Sequence, residues 1–278
     1  MKVFKLKKEL QQYLNEIRAT GKTIGLVPTM GALHQGHLSL LEQARQQTDV
    51  VVSTIFVNPT QFNDPKDLEK YPRPIEQDIL KLEQAGCDIL FNPEVNEMYA
   101  GNEQWHLAIG ELEFLLEGKF RPGHYQGVTQ VVFKLFDIIK PDIAFFGQKD
   151  YQQVMVITRM VQLLNMPVKL VMCPILRDAD GLAMSSRNVH LSVNERQQAL
   201  ILSNALFWLK DNFKSEDILQ LQEQAADMIR RQEGVELEYL EIADGETLHP
   251  ANKNSKTLVA LAAARVGKTR LIDNVLLN

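Results

Sequence analysis

Between Thr23 and Cys173 short apolar runs alternate with segments of helical spacing, and that alternation constrains the fold more than any other property of the chain. The runs at 23–27, 50–57, 89–91, 143–146 and 168–172 are short and apolar, as strands buried on both faces are. Helical patterns at 38–47, 75–85, 128–139 and 152–164 supply the covering layers. The expected fold class is α/β, a Rossmann-like, doubly wound, mostly parallel sheet. In such sheets ligands sit beyond the carboxyl ends of the strands, at the point where the strand order reverses.

After Leu176 the pattern changes. Ser192-Val193-Asn194-Glu195 has the spacing of a capping box and opens an amphipathic helix to about Asn212. A second helix is expected from Glu216 to Gln232, ahead of Gly234, followed by strands at 236–243, 257–264 and 270–273. The expected division is therefore a Rossmann-like domain at 1–176 and a smaller C-terminal α+β domain at 177–278. The stretch from Met184 to Asn188 would join the two, and a hinge there would close the second domain as a lid.

Composition excludes several classes. With 278 residues, 45% hydrophobic and 23% charged, the chain has the make-up of a soluble globular protein of one large or two modest domains. Lys and Arg total 30 against 35 Asp and Glu, so the surface offers no broad attraction to nucleic acid. Cys87 and Cys173 are too few for a disulfide framework or a zinc cluster; both are expected as small core residues in a reducing compartment. The segment from Met1 to Arg18 carries Lys2, Lys5, Lys7 and Lys8 without the apolar core of a signal peptide. No run approaches the roughly 18 apolar residues of a membrane span. A cytoplasmic location follows as the expectation.

Three corners of the expected sheet carry chemistry. In Val27-Pro28-Thr29-Met30-Gly31-Ala32-Leu33-His34-Gln35-Gly36-His37 two imidazoles lie three residues apart where a strand turns into a helix. The first helical turn presents unpaired N–H groups and a positive dipole end, which suits phosphate oxygens, and Gly31 and Gly36 allow close approach. The same pair could instead be zinc ligands, or simply polar residues at a helix start. The familiar helical zinc signature spaces its histidines four apart with a Glu between them, whereas Gln35 and Gly36 intervene here.

Phe146-Gly147-Gln148-Lys149-Asp150 forms a second corner before a helix starting near Tyr151. Lys149 could reach a triphosphate as a point charge, with Asp150 accepting backbone N–H groups at the helix start; the alternative is a solvated surface lysine. Met184-Ser185-Ser186-Arg187-Asn188, with Gly181 upstream, offers two hydroxyls and a guanidinium for phosphate oxygens, although alone it reads equally as a Ser-rich loop before a capped helix. Gly267-Lys268-Thr269 imitates the end of a P-loop but fails on spacing, because the required upstream glycine position is Ala262.

His34-Gln35-Gly36-His37 taken with Met184-Ser185-Ser186-Arg187-Asn188 resembles the paired nucleotide signatures of the nucleotidyltransferase superfamily that includes class I aminoacyl-tRNA synthetases. Closer still, the segment Pro28 to His37, Phe56-Val57-Asn58-Pro59-Thr60-Gln61-Phe62, Arg121-Pro122-Gly123-His124, Phe146 to Asp150 and Met184 to Asn188 resemble the pantothenate synthetases, the pantoate:beta-alanine ligases. The resemblance covers essentially the whole chain and implies ATP as a substrate, Mg2+ beside its phosphates, pantoate and beta-alanine as small-molecule partners, and a homodimer. It also implies roles. His34 and His37 would contact the triphosphate, His37 as a proton donor, and Lys149 would bridge nucleotide and acyl phosphate beside Ser185, Ser186 and Arg187. Residues from Met30 through His37, Gly147 through Asp150, and Leu176 with Met184 through Arg187 would form the ATP site. Gln61 and Gln153 would take pantoate, Gln61 also helping to receive beta-alanine, with Asn58 beside them and Met30 shielding the pocket. Arg121 and Tyr71 are further candidates on a loop over the site, and no residue is assigned as a metal ligand.

The implied chemistry is carboxylate activation. A carboxylate is a poor electrophile, so attack on the α-phosphorus of ATP first makes an acyl adenylate, from which an amine displaces AMP. Rival readings are permanent nucleotidyl transfer onto a phosphate ester, a metal-dependent hydrolase using His34 and His37, and a nucleotide sensor without turnover.

Overall fold

A computed structural model of the chain describes residues 1–101, 103–213 and 218–278. These fall into two compact units, one formed by Met1–Gly147 with Gln153–Pro174 and the other by Gln148–Gln152 with Ile175–Asn278.

The elements of the first unit run β1 (Lys2–Phe4), α1 (Lys7–Ala19), β2 (Ile24–Thr29), α2 (Gln35–Gln47), β3 (Val50–Ile55), α3 (Pro65–Lys70), α4 (Ile75–Gln84), β4 (Ile89–Phe91), α5 (Val95–Met98), α6 (Leu116–Phe120), α7 (His124–Ile139), β5 (Ile143–Gly147), α8 (Tyr151–Leu163) and β6 (Lys169–Cys173). Tyr151 and Gln152, which open α8, belong to the second unit. The strands make one sheet in the order β1-β4-β3-β2-β5-β6, and every pairing is parallel. From β2 the chain moves outward through β3 to β4, then returns to lay β5 on β2's other side. The strand order therefore reverses between β2 and β5, which places the ligand crevice of such folds at their carboxyl ends.

Alternate residues of each strand enter different cores. Ile24, Leu26, Val52, Ile89, Phe91 and Phe146 pack with Leu10 and Leu14 of α1, with Val132 and Phe136 of α7 and with Ile157 of α8. Val27, Val51, Ile55, Leu90 and Phe145 pack on the opposite side with Leu40 and Leu41 of α2 and Leu82 of α4. Strands covered on both faces need no polar alternation, which is why their sequences read as continuous apolar runs.

The expected strands are found within a few residues of their observed bounds. Two departures are informative. β1 escaped the sequence pattern because three residues in a Lys-rich segment leave no periodicity to read, and it is fixed by pairing Lys2, Val3 and Phe4 with Ile89, Leu90 and Phe91. Helix α7 starts at His124 rather than at 128: Gly123, with φ of 78°, turns the chain in the left-handed region just ahead of it, and the first turn is already buried.

In the second unit, α9 (Val193–Asn212) and α10 (Ile218–Arg230) cover an antiparallel sheet β7-β8-β9, with β7 at Val235–Asp244, β8 at Leu258–Val266 and β9 at Thr269–Leu276. The capping box is formed as expected: Ser192 Oγ accepts from Glu195 N at 3.3 Å and Glu195 returns a carboxylate to Ser192 N at 2.8 Å. The start expected at Glu216 for the following helix lies outside the described residues. Val266 pairs with Thr269, so Gly267 and Lys268 are the two-residue turn of a β-hairpin, with Gly267 at φ of 56°. Their likeness to a P-loop is a matter of hairpin chemistry. No helix among the described residues is long and apolar enough to cross a membrane.

Cys87 and Cys173 are both buried in the core between the sheet and α2. Burial pushes each thiol up to about 11. Alkylation by iodoacetamide near pH 8 is therefore expected to be very slow in the native protein and fast in denaturant, because the reactive thiolate forms only when the pH approaches that raised value. Rapid native labelling of both thiols, followed by mass spectrometry, would contradict this burial.

Candidate active site

At the carboxyl end of β2 the chain makes an unusual turn. Gly31 and Ala32 adopt φ of 82° and 50°, two successive left-handed residues of which the second has a side chain. The strain is held by one carboxylate. Asp78 of α4, fully buried, accepts from Ala32 N at 2.7 Å through Oδ2 and from Leu33 N at 2.8 Å through Oδ1. Lys81, one turn further along α4, donates to Leu33 O at 2.6 Å. A side chain at position 31 would crowd Asp78 Oδ2 and an Ile55 methyl at 3.0 Å, in addition to the backbone angle that favours glycine there.

This clasp delivers His34 to the N-cap of α2 and His37 to its third helical position. His34 Nδ1 accepts from Gly36 N at 3.1 Å, and His37 Nδ1 accepts from His34 N at 3.3 Å, so the two imidazoles complete a reciprocal capping box. An Nδ1 that accepts a backbone N–H carries no proton of its own. The rings are thereby assigned as Nε2–H tautomers from this geometry, with Nε2 the donor of each. The ring centroids lie 4.0 Å apart. Gly36 lies inside the helix, so its service is the N–H it gives His34.

A second cluster in the same unit surrounds Gln61, in the 3-10 turn Pro59–Gln61. Gln61 Nε2 lies 3.1 Å from Met30 Sδ, which brings the two expected pocket residues together. Asn58 is almost wholly buried and its amide faces inward: Nδ2 donates to Gly127 O at 3.1 Å and to Gln61 Oε1 at 3.2 Å. Its Oδ1 accepts from Tyr99 OH at 2.6 Å and from Thr60 Oγ1 at 3.1 Å. Burial raises the Tyr99 phenol above its ordinary value, which keeps it protonated as the donor of that bond. The Gln61 carbonyl lies 2.8 Å from His124 Nδ1 and accepts from Arg121 Nη2 at 3.4 Å. Gly127 admits the turn, since any side chain there would strike the Thr60 carbonyl. Tyr71, expected on a loop over the site, is buried edge-on against Phe62. Gln153 is half-buried on α8.

Apart from Gly147, which ends β5 in the first unit, the remaining candidates belong to the second unit. Gln148, Lys149 and Asp150 form a 3-10 turn in which Lys149 is half-buried and Asp150 exposed. Lys149 and Ser185 line one small cavity with Leu182, Ala183 and Asp273. Ser185 caps the 3-10 turn Ser186–His190 by accepting from Arg187 N at 3.3 Å. Met184 N donates to Leu176 O at 3.1 Å, closing the tight loop that Gly181 turns at φ of 93°. Arg196 of α9 braces that loop through Asp178 and Asp180, each at 2.8 Å.

Sequence reasoning missed Asp78, Lys81 and Tyr99. Asp78 and Lys81 sit three residues apart in a helix of ordinary amphipathic pattern, and nothing local marks a carboxylate whose partners lie more than forty positions away. Asp78→Asn is expected to cost about 1–3 kcal/mol, since the amide can accept from only one of the two N–H groups and turns its own N–H toward the other. Urea denaturation reads it, and a variant as stable as the parent would remove the clasp from this account.

Comparison with known proteins agrees along the whole chain. The family model described as pantoate-beta-alanine ligase matches residues 2–276. A pantothenate synthetase from Thermotoga petrophila is 47% identical over 279 residues, with 100% of both chains covered. One from Aquifex aeolicus is 45% identical, covering 98% of this chain and 97% of its own. Among solved structures, a pantothenate synthetase from Thermus thermophilus superposes with a TM-score of 0.94 at 39% identity, over 100% of this chain and 99% of that one. The pantoate-beta-alanine ligase of Francisella tularensis, solved with beta-gamma ATP and beta-alanine, gives 0.82 at 36% identity, over 99% and 97%. With a strand-order reversal carrying the two histidines at its mouth and a match spanning nearly every residue, this chain belongs to the pantoate-beta-alanine ligase family.

Proposed function

We propose that the chain condenses pantoate with beta-alanine to pantothenate at the expense of ATP, through a pantoyl adenylate and with release of AMP and diphosphate. The observation that carries this reading is the reciprocal cap of His34 and His37, which sets Nε2–H as the donor of each ring at a helix N-terminus that itself favours anions. Phosphoryl oxygens of a triphosphate are the acceptors such a site fits. His34 and His37 hold the β- and γ-phosphates, and His37 Nε2–H hydrogen-bonds to the diphosphate as charge builds on it. The residues from Met30 to Leu33 lie along the nucleotide.

Lys149 neutralises charge shared between the pantoate carboxylate and the α-phosphate, which otherwise repel each other on approach. Ser185, Ser186 and Arg187 assist on the phosphates, and Gly147, Gln148, Asp150, Leu176 and Met184 complete the nucleotide contacts. Gln61 and Gln153 bind pantoate through amides, which satisfy its hydroxyls without adding a third charge. Asn58 serves this binding by holding Gln61 in place, and Met30 gives the apolar wall. In the second half-reaction the free amine of beta-alanine attacks the adenylate carbonyl, the C–O bond to AMP breaks, and the amine loses a proton.

Mg2+ belongs to the same proposal. Among the described residues no three His, Cys, Asp or Glu side chains gather in metal-binding geometry, and Asp78 is committed to two backbone N–H groups. Mg2+ would be held largely by the triphosphate's own oxygens, the usual habit of this ion. When bound, such an ion offsets phosphate charge. A homodimer and a cytoplasmic location complete the reading.

Pantoate-dependent exchange of labelled pyrophosphate into ATP tests the adenylation step. Exchange driven only by a phosphate ester would favour nucleotidyl transfer instead. Lys149→Ala is expected to lower this exchange by roughly 100-fold or more, the scale of removing one charge-stabilising donor; turnover near that of the parent would take Lys149 out of the mechanism. His37→Ala is expected to slow adenylation and its reversal together, and a variant impaired only in amide formation from isolated pantoyl adenylate would refute the assignment of His37 to the phosphates.

A further inference from the structure

We infer that Asn274 of β9 is a positioning residue that sets the backbone from which Lys149 reaches its substrate. This inference rests on the role given above to Lys149 and adds to it a part of the chain to which no function has been attached. Asn274 is 2% exposed, and its amide is directed almost wholly at one dipeptide. Nδ2 donates to Gln148 O at 2.9 Å and to Lys149 O at 3.0 Å, while Oδ1 accepts from Gln148 Nε2 at 3.1 Å.

The strand does not need such a residue for its own sake. Its partners across β8 are apolar, Asn274 facing Leu261 and the neighbouring Asp273 facing Ala262. An apolar side chain would fill the position without the cost of desolvating an amide. The polar capacity is spent instead on the 3-10 turn Gln148–Asp150, which opens directly into α8 at Tyr151 and has the poorer hydrogen-bond geometry of a 3-10 turn. Two carbonyls held by one planar amide fix the peptide planes on either side of the Lys149 Cα, and so the direction in which its side chain leaves.

Asp273 performs the matching task on the other nucleotide segment of this unit. It is 4% exposed and takes Arg177 in a bidentate pair, Nη1 at 2.6 Å and Nη2 at 2.8 Å, with Asn274 N donating to it at 2.7 Å. Arg177 follows Leu176 directly, pairs in a bridge with Ala183 and lies over the Phe207 ring. Two adjacent side chains of one strand thus tie down both the lysine turn and the loop running from Leu176 to Met184. Planar bidentate geometry of this kind fixes orientation as well as distance.

A double-mutant cycle tests the inference, with kcat and KM of pantoate-dependent pyrophosphate exchange measured for the parent, Lys149→Ala, Asn274→Ala and the double variant, each confirmed folded by its thermal melt. Asn274→Ala is expected to lower kcat by about 100-fold, the scale on which a small misplacement of a catalytic group acts, with little change in the KM for pantoate. In the Lys149→Ala background the same substitution should cost no more than roughly twofold, because the group it positions is gone. An Asn274→Ala variant with the parent's kcat, or one whose full loss recurs on the Lys149→Ala background, overturns the inference while leaving Lys149 in place. A Lys149→Ala variant with the parent's kcat overturns the role of Lys149 and the inference with it. Should Asn274→Ala fail to fold, Asn274→Ser, which keeps one donor, is read in the same cycle against the same two outcomes.

Discussion

A buried carboxylate accepting two neighbouring backbone N–H groups is the interaction on which the first unit's site depends. Without Asp78, Ala32 would hold a left-handed conformation against its own steric preference, and the turn from β2 into α2 would lose the two bonds that keep that shape. With it, His34 arrives at an N-cap rather than one residue early or late, and both imidazoles find backbone donors for Nδ1. Loop strain is thus converted into a fixed tautomer, which decides that each ring carries its donor at Nε2.

The sheet determines where this matters. Because every strand pair is parallel, all the carboxyl ends lie on one edge, and the reversal between β2 and β5 opens that edge where the histidine turn leaves β2 and where Gly147 ends β5. Support for Gln61 follows the same economy. Tyr99, His124 and Gly127 come from distant parts of the chain, and they converge on the one short turn that Asn58 caps.

Much of this was legible in the sequence, for a definite reason. Strands buried on both faces, such as Val50–Ile55, leave unbroken apolar runs, and corners such as Gly31 to His37 concentrate glycine and histidine in a few positions. Local signals of that kind survive in one dimension. The supporting residues do not: Asp78 lies 45 and 46 positions from the N–H groups it accepts, and Asn274 lies 125 and 126 from its carbonyls. An isolated Asp in a helix or Asn in a strand carries no mark of a distant partner. The start of α7 was hidden for a related reason, since Gly123 and His124 read as part of a loop motif until the buried first turn is seen.

The long separation between Lys149 and Asn274 also bears on synthesis. Asn274 leaves the ribosome 125 residues after the lysine whose carbonyl it grips, a delay of roughly 6 to 25 s at ordinary elongation rates. During that interval a nascent chain can already possess its finished parallel sheet and its histidine corner, yet its lysine turn has no anchor. The order in which the strands are translated therefore completes the histidine corner well before the lysine turn gains its anchor.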